Sequence, residues 1–230
     1  MDGISEIAER LRSALESAHQ AREAALQASR AAIRFAANSI RATHRGEFET
    51  SEELLETARA SVEQAKAACE QFPLIRYSGF ISDAEKELAE ACITLGLVKE
   101  SRLRPPEEVG VGVIEYLGGV AEAVGEMRRH LLDSLRKGDV ARGEAVLQIM
   151  DDLYQLLVSM DFPDALTRGL RSRTDAARGA VERSRSDLTI TAIQHEIAST
   201  LEALHVSNSK HEFGTNPSSD SPYTTNSGSA

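Results

Sequence analysis

The chain contains no tryptophan, and aromatic residues make up 4% of its 230 positions. That scarcity argues against the stacking platforms that single-strand-binding barrels build from several rings. Cysteine is almost as rare. Cys69 and Cys92 are the only two and lack metal-ligand spacing, so reduced, buried thiols are expected rather than a disulfide. The six histidines are scattered, and no HExxH motif, phosphate-cradling glycine loop or nucleophile elbow is present. Any metal should therefore be oxygen-liganded, meaning Mg²⁺ or Mn²⁺. No window is apolar enough to span a bilayer, and the acidic start MDGISEIAER is unlike a secretory signal. A soluble, cytoplasmic protein with no membrane partner is expected. Excess positive charge is missing too: 26 basic residues face 36 acidic ones, for a net of −10. That excludes a uniformly cationic nucleic-acid binder but not a local basic face.

What the chain does have is Ala, Leu, Glu and Arg at helical spacing as far as about residue 205, with no alternating strand pattern. The fold class is all-α: an elongated helical bundle or α-superhelix of about six to seven helices. Such a fold often completes its apolar surface by oligomerising. The first helix should run from Ser5 to His44 and stop at Gly46, a natural left-handed cap. A second should start at Thr50/Ser51, with Glu53 placed for a capping box, and end before Pro73. A third spans Ser82 to Ser101. Pro105 and Pro106 open a fourth, from Glu107 to Arg136. After the break at Lys137-Gly138-Asp139 a fifth runs to Met160, and a sixth from Pro163 to His205. Residues 1–205 thus form one helical domain. Residues 206–230 are dense in Ser, Asn, Pro and Gly and are expected to be a disordered polar tail.

Two pairs of glutamates stand out. Glu87 and Glu90 lie three residues apart in AEKELAEACITLGLV, and Glu122 and Glu126 four apart in YLGGVAEAVGEMRR. At about 100° per residue each pair shares one side of its helix. If the helices pack together, four carboxylates converge on a spot suited to a hard divalent cation. Glu90 is the only charge between Leu88 and Val98, and a buried carboxylate is costly unless protonated, hydrogen-bonded or bound to a cation. An arginine partner and a metal are both open at this point. On the fourth helix Val113, Leu117, Val120, Val124, Met127 and Leu131 form an apolar stripe, with Glu115, Glu122, Glu126 and Arg129 opposite. Pattern alone favours a solvated face. Gly118, Gly119 and Gly125 on that side weaken this reading, because each costs helix stability and several together suggest that something approaches the backbone closely.

Arg30, Arg34, Arg41 and Arg45 of the first helix fall within about 60° of one another, with His44 at the edge of the stripe. Guanidinium groups so arranged suit phosphate contact. Pairing with the following acidic segment is the plainer reading. Arg128, Arg129 and His130 would extend a basic patch toward the carboxylates.

Four segments, in order, resemble the translin family. They are SRAAIRFAANSIRATHRG, KELAEA, YLGGVAEAVGEMRR followed by KGDV, and LRSRTDAARGAVERSRSDL. The resemblance covers roughly residues 20 to 190. It implies an all-α fold assembling into a closed oligomeric shell, often an octamer, around single-stranded nucleic acid, RNA or DNA. It further implies that Glu87, Glu90, Glu122 and Glu126 are the catalytic and metal-binding set of a Mg²⁺-dependent endoribonuclease. Glu122 departs from the family's usual aspartate by one methylene. A homo-oligomer with one site per subunit follows.

On this reading the metal activates a water for in-line attack on single-stranded RNA, leaving a 5′-phosphate and a 3′-hydroxyl. Arg30, Arg34, Arg41, Arg45 and Arg129 hold the backbone without reading sequence. The alternatives are a translin-type binder of RNA or single-stranded DNA without catalysis, and a helical scaffold whose acidic stripes are merely solvated or salt-bridged.

Overall fold

Alanines spaced three or four apart let two helices lie close along much of their length, and this starts the fold. In α1 (Asp2–Arg45) Ala25, Ala28, Ala32 and Ala36 are at most 5% exposed, facing Leu55, Ala58, Val62 and Ala65 of α2 (Phe48–Ala68). The structure, a computed structural model, describes the backbone of residues 2–212. The hairpin turns on Gly46, whose φ of 77° is the expected left-handed cap. Its N–H reaches Thr43 O and that of Glu47 reaches Ala42 O, closing the end of α1.

The predicted capping box is wrong. Helix α2 already begins at Phe48, and Ser51 is fully buried inside it. Its hydroxyl lies 2.8 Å from Ser39 Oγ and 2.7 Å from Thr43 Oγ1, a polar rung between α1 and α2. The tight glycine turn leaves no room for a later start.

Further on come α3 (Pro73–Arg76), α4 (Gly79–Leu95), a π-helical turn (Gly96–Glu100), α5 (Pro106–Val109), α6 (Val113–Arg136), α7 (Val140–Val158), α8 (Asp164–Thr167) and α9 (Leu170–Glu212). Six are long, as the sequence predicts; α3, α5 and α8 are single turns. The predicted fourth helix is split at Gly110 (φ 79°), and the sixth at Arg168 and Gly169, both left-handed. The break before α7 is as expected, with the Asp139 carboxylate accepting from Arg142 N–H at 2.9 Å. No strand occurs among the described residues, and no helix there is long and apolar enough to cross a membrane.

Helix α4 is the central element, packed against α1, α2 and α6. Every residue from Leu88 to Leu97 is buried, Glu90 included. On α6 the predicted stripe is buried from Leu117 to Leu131, but Val113, in the first turn, is 67% exposed. Both cysteines are free and buried, and burial pushes the Cys92 thiol up to about 11.

The chain divides into two compact units, residues 1–188 and 189–230. In the first, Leu170, Ala177, Ala180, Val181 and Leu188 of α9 join the main core. In the second, Ile190, Ile193, Ile197, Leu201 and Leu204 repeat at helical spacing, each about half exposed. Helix α9 continues to Glu212, past the predicted boundary at residue 205. The rest of the predicted tail, from residue 213, lies outside the described residues.

Candidate functional site

Gly119 decides where the two carboxylate-bearing helices meet. A Cβ added there would lie 2.6 Å from Ala89 Cβ and 2.7 Å from Glu90 N, closer than any real side chain could sit. Only a glycine lets the α6 backbone approach α4 at that point. The expectation of close approach therefore holds for Gly118 and Gly119. It fails for Gly125, which has nothing within 4 Å and faces solvent.

This approach brings Glu87, Glu90 and Glu122 together, with one carboxylate oxygen from each within 4.8 Å of the others. The plain solvated face is thus wrong for Glu122. Glu126, one turn further along α6, lies outside that triad and turns to α1. Its Oε2 accepts from His44 Nε2 at 2.5 Å, where the imidazole is only 3% exposed.

The electrostatics follow from this geometry. Glu90 is 9% exposed and has no arginine partner among the described residues, so that alternative falls away. Burial, then the charges of Glu87, Glu122 and Glu126, push its carboxyl up to about 8. Glu126 moves the other way, because the hydrogen bond from His44 outweighs its burial. Lys86 bridges the outer carboxylates, with Nζ 2.6 Å from Glu122 and 3.3 Å from Glu87. Burial works against its ammonium charge, but these bonds win and its pKa rises.

The donor set fits a hard cation: oxygen only, convergent, partly desolvated and short of positive charge. Glu87, Glu90 and Glu122 are the residues able to hold one, with Glu126 beside them.

The predicted basic residues separate into groups. Arg30, Arg34 and Arg41 are exposed on α1 with no carboxylate partner among the described residues. Arg34 lies over the Phe35 ring and Arg41 donates to Asn38 Oδ1. Arg45 instead forms a two-pronged pair with Glu47, at 2.8 and 2.6 Å, as the plainer reading had it. Arg129 is half exposed, 3.9 Å from Glu126. The extended basic patch needs correction. Arg128 turns away to Ser184 and Asp187 of α9, and His130 is half-buried with its pKa lowered by burial and by Arg142.

Sequence reasoning passed over Lys86, although it is the sole cation beside the Glu87 pair. It noted His44 only as the edge of a stripe. No local pattern reveals that His44 meets a residue 82 positions away.

No family model matches the chain. Among solved structures, AfC3PO in complex with duplex RNA is similar with a TM-score of 0.74 at 32% identity, over 81% of this chain and 97% of that one. The crystal structure of AfC3PO gives 0.72 at the same identity and coverage. Apo-NeC3PO gives 0.73 over 80% of this chain and 96% of that one, at 17% identity, which speaks for the fold alone. Among curated proteins, the uncharacterized protein MJ0175 of Methanocaldococcus jannaschii is 28% identical over 121 residues, 52% of this chain. The chain spans about half the length of that relative, 53%.

Proposed function

This chain belongs to the translin family, and from that premise we propose that it is an RNA-binding, metal-dependent endoribonuclease working as a homo-oligomeric shell. The observation that carries the reading is Glu90: a carboxylate buried among three others with no arginine to answer it. A stable fold gains nothing from such a group, whereas a cation site requires it.

Glu87, Glu90 and Glu122 hold Mg²⁺ or Mn²⁺, with Glu126 as a further ligand. When bound, the ion supplies Lewis acidity, activating a water and neutralising charge on the scissile phosphate. Around it the chain's own groups divide the remaining tasks. His44 holds Glu126 ionised and oriented by donating to Oε2. Lys86 balances the charge of Glu87 and Glu122. Arg30, Arg34, Arg41 and Arg129 hold flanking phosphates, and Arg45 joins them on release from Glu47. Glutamate at 122 keeps the carboxylate that the family's usual aspartate would provide.

The second reading is a binder of RNA or single-stranded DNA that does not cut. It is favoured by Lys86, which already occupies two of the carboxylates. To separate the two, labelled single-stranded RNA is incubated with the protein in Mg²⁺ or in EDTA. A duplex serves as comparison, since AfC3PO was captured with one. Metal-dependent cleavage abolished by Glu126→Ala supports the nuclease. Cleavage that survives this change intact would sink the proposed site, and binding without cleavage in any divalent metal would favour the second reading.

A further inference from the structure

The carboxylates are not the end of the polar seam between α4 and α6. Rungs succeed one another along it: Lys86 with Glu122, then, toward the start of both helices, Ser82 with Glu115 at 2.6 Å. Glu115 precedes Glu122 by seven residues, about 10 Å along the helix. There the seam opens into a recess of about 370 Å³, lined among others by Arg76, Tyr77, Ser82, Glu115 and Arg168.

Two cations along this stretch have no carboxylate partner among the described residues, and a third is held at long range. Arg173, half-buried at the start of α9, has no carboxylate partner among the described residues. Its Nη1 lies over Gly118, as does the Lys86 stem; a Cβ there would meet them at 2.7 and 3.0 Å. Arg76 also lacks a carboxylate partner there, and its guanidinium sits 5.6 Å from the Tyr77 ring centre. Arg168 pairs with Glu115 at a long 3.4 Å and lies as far from Ser82 Oγ, so a phosphate competes there with a single loosely held carboxylate. The Arg168 backbone is left-handed (φ 47°), an unfavourable conformation for a side chain of its size. Beside these cations Tyr77 presents its ring to solvent, 74% exposed.

Guanidinium groups around an exposed ring match a nucleotide, with phosphate on the arginines and a base stacked on the ring. We propose that this recess is a subsite for an RNA nucleotide flanking the scissile phosphate. Tyr77 stacks the base, Arg76 and Arg168 hold its phosphate, and Arg173 with Lys86 carries the strand between recess and carboxylates. The assignment rests on the RNA-binding reading above and deepens it. It places a binding surface on α3, α8 and the start of α9, away from the α1 arginines.

The test uses the full chain in EDTA, so that nothing is cut. Binding of labelled oligouridylate is followed by fluorescence anisotropy against salt, with one oligomer too short to reach both sites and one long enough. Tyr77→Ala should weaken the long oligomer by about ten-fold and leave the short one unchanged, and Tyr77→Phe should restore it. Arg173→Gln should lower the salt slope for the long oligomer by about one. Thermal melts check that the variants fold. Wild-type binding with unchanged affinity and slope in the variants would overturn the subsite while leaving the RNA-binding reading intact. Equal losses on both oligomers, or no recovery with phenylalanine, would also overturn it. If wild type binds neither oligomer, the parent reading fails and the subsite with it. Uridine monophosphate that binds through Arg168 without any Tyr77 effect on the long oligomer would mark a free-nucleotide pocket instead.

Discussion

Glu85 and Glu90 lie five residues apart on α4 and are almost equally buried, at 7% and 9% exposed. The first meets Lys66 at 2.8 Å, an ammonium that also holds Glu63. Burial opposes the charge on Lys66, but its two acidic partners raise its pKa all the same. The second meets only other carboxylates, beyond one lysine shared by its neighbours. Burial alone therefore does not separate a structural charge from a functional one. What separates them is whether the fold supplies the opposite charge.

The largest expected effect breaks this comparison at the level of activity. Glu90→Gln should lower metal-dependent RNA cleavage by about a hundred-fold or more, while Glu85→Gln leaves it near wild type; gel assays with matched protein read the ratio. Equal losses would erase the distinction between the two sites.

Stability should reverse the ranking. Glu85→Ala removes the nearer partner of Lys66 and should cost about 2–3 kcal/mol by urea denaturation, softened because Glu63 remains. Glu90→Gln should be neutral or stabilising without metal. Added Mg²⁺ should raise the Tm of wild type but not that of Glu90→Gln.

Two glycines sharpen the same point on α6. Gly119→Ala must push α6 off Ala89 and Glu90 and should cost about 2 kcal/mol, with weaker metal-dependent stabilisation. Gly125→Ala meets nothing and should stabilise by up to about 1 kcal/mol.

The remaining effect is read against pH. An acid whose folded pKa of about 8 exceeds its ordinary 4.5 binds more protons folded than unfolded between those values. Its stabilising contribution is complete below about pH 4.5 and is lost as pH rises through 8. In EDTA, the Tm advantage of Glu90→Gln over wild type should therefore grow across that window. A constant gap would mean that Glu90 is not the group responding.

Much of this was legible from residues alone. The uninterrupted apolar run around Glu90 announced a buried charge, and the density of glycine on α6 announced close contact. Which glycine made that contact was not legible. Gly119 and Gly125 sit in similar local sequence, and only the position of α4 tells them apart. The start at Thr50/Ser51 misled for a similar reason: Glu53, three residues after Thr50, suits a capping box, but the Ser51 hydroxyl instead joins a polar rung with Ser39 and Thr43. Arg128 and Arg129 are adjacent and chemically identical, yet one reaches α9 and the other faces the carboxylates.

By itself the sequence determined the six long helices, through apolar spacing and alanine content, and the inventory of carboxylates on α4 and α6. Periodicity acts within a helix, so it ordered each pair on its own side. Only the tertiary structure decided that Lys66 answers Glu85, that His44 takes Glu126, and that Glu90 is left without an opposite charge of its own. Those outcomes depend on separations of a few ångströms between different helices, where charge interactions are steep and the spacing within any one helix says nothing.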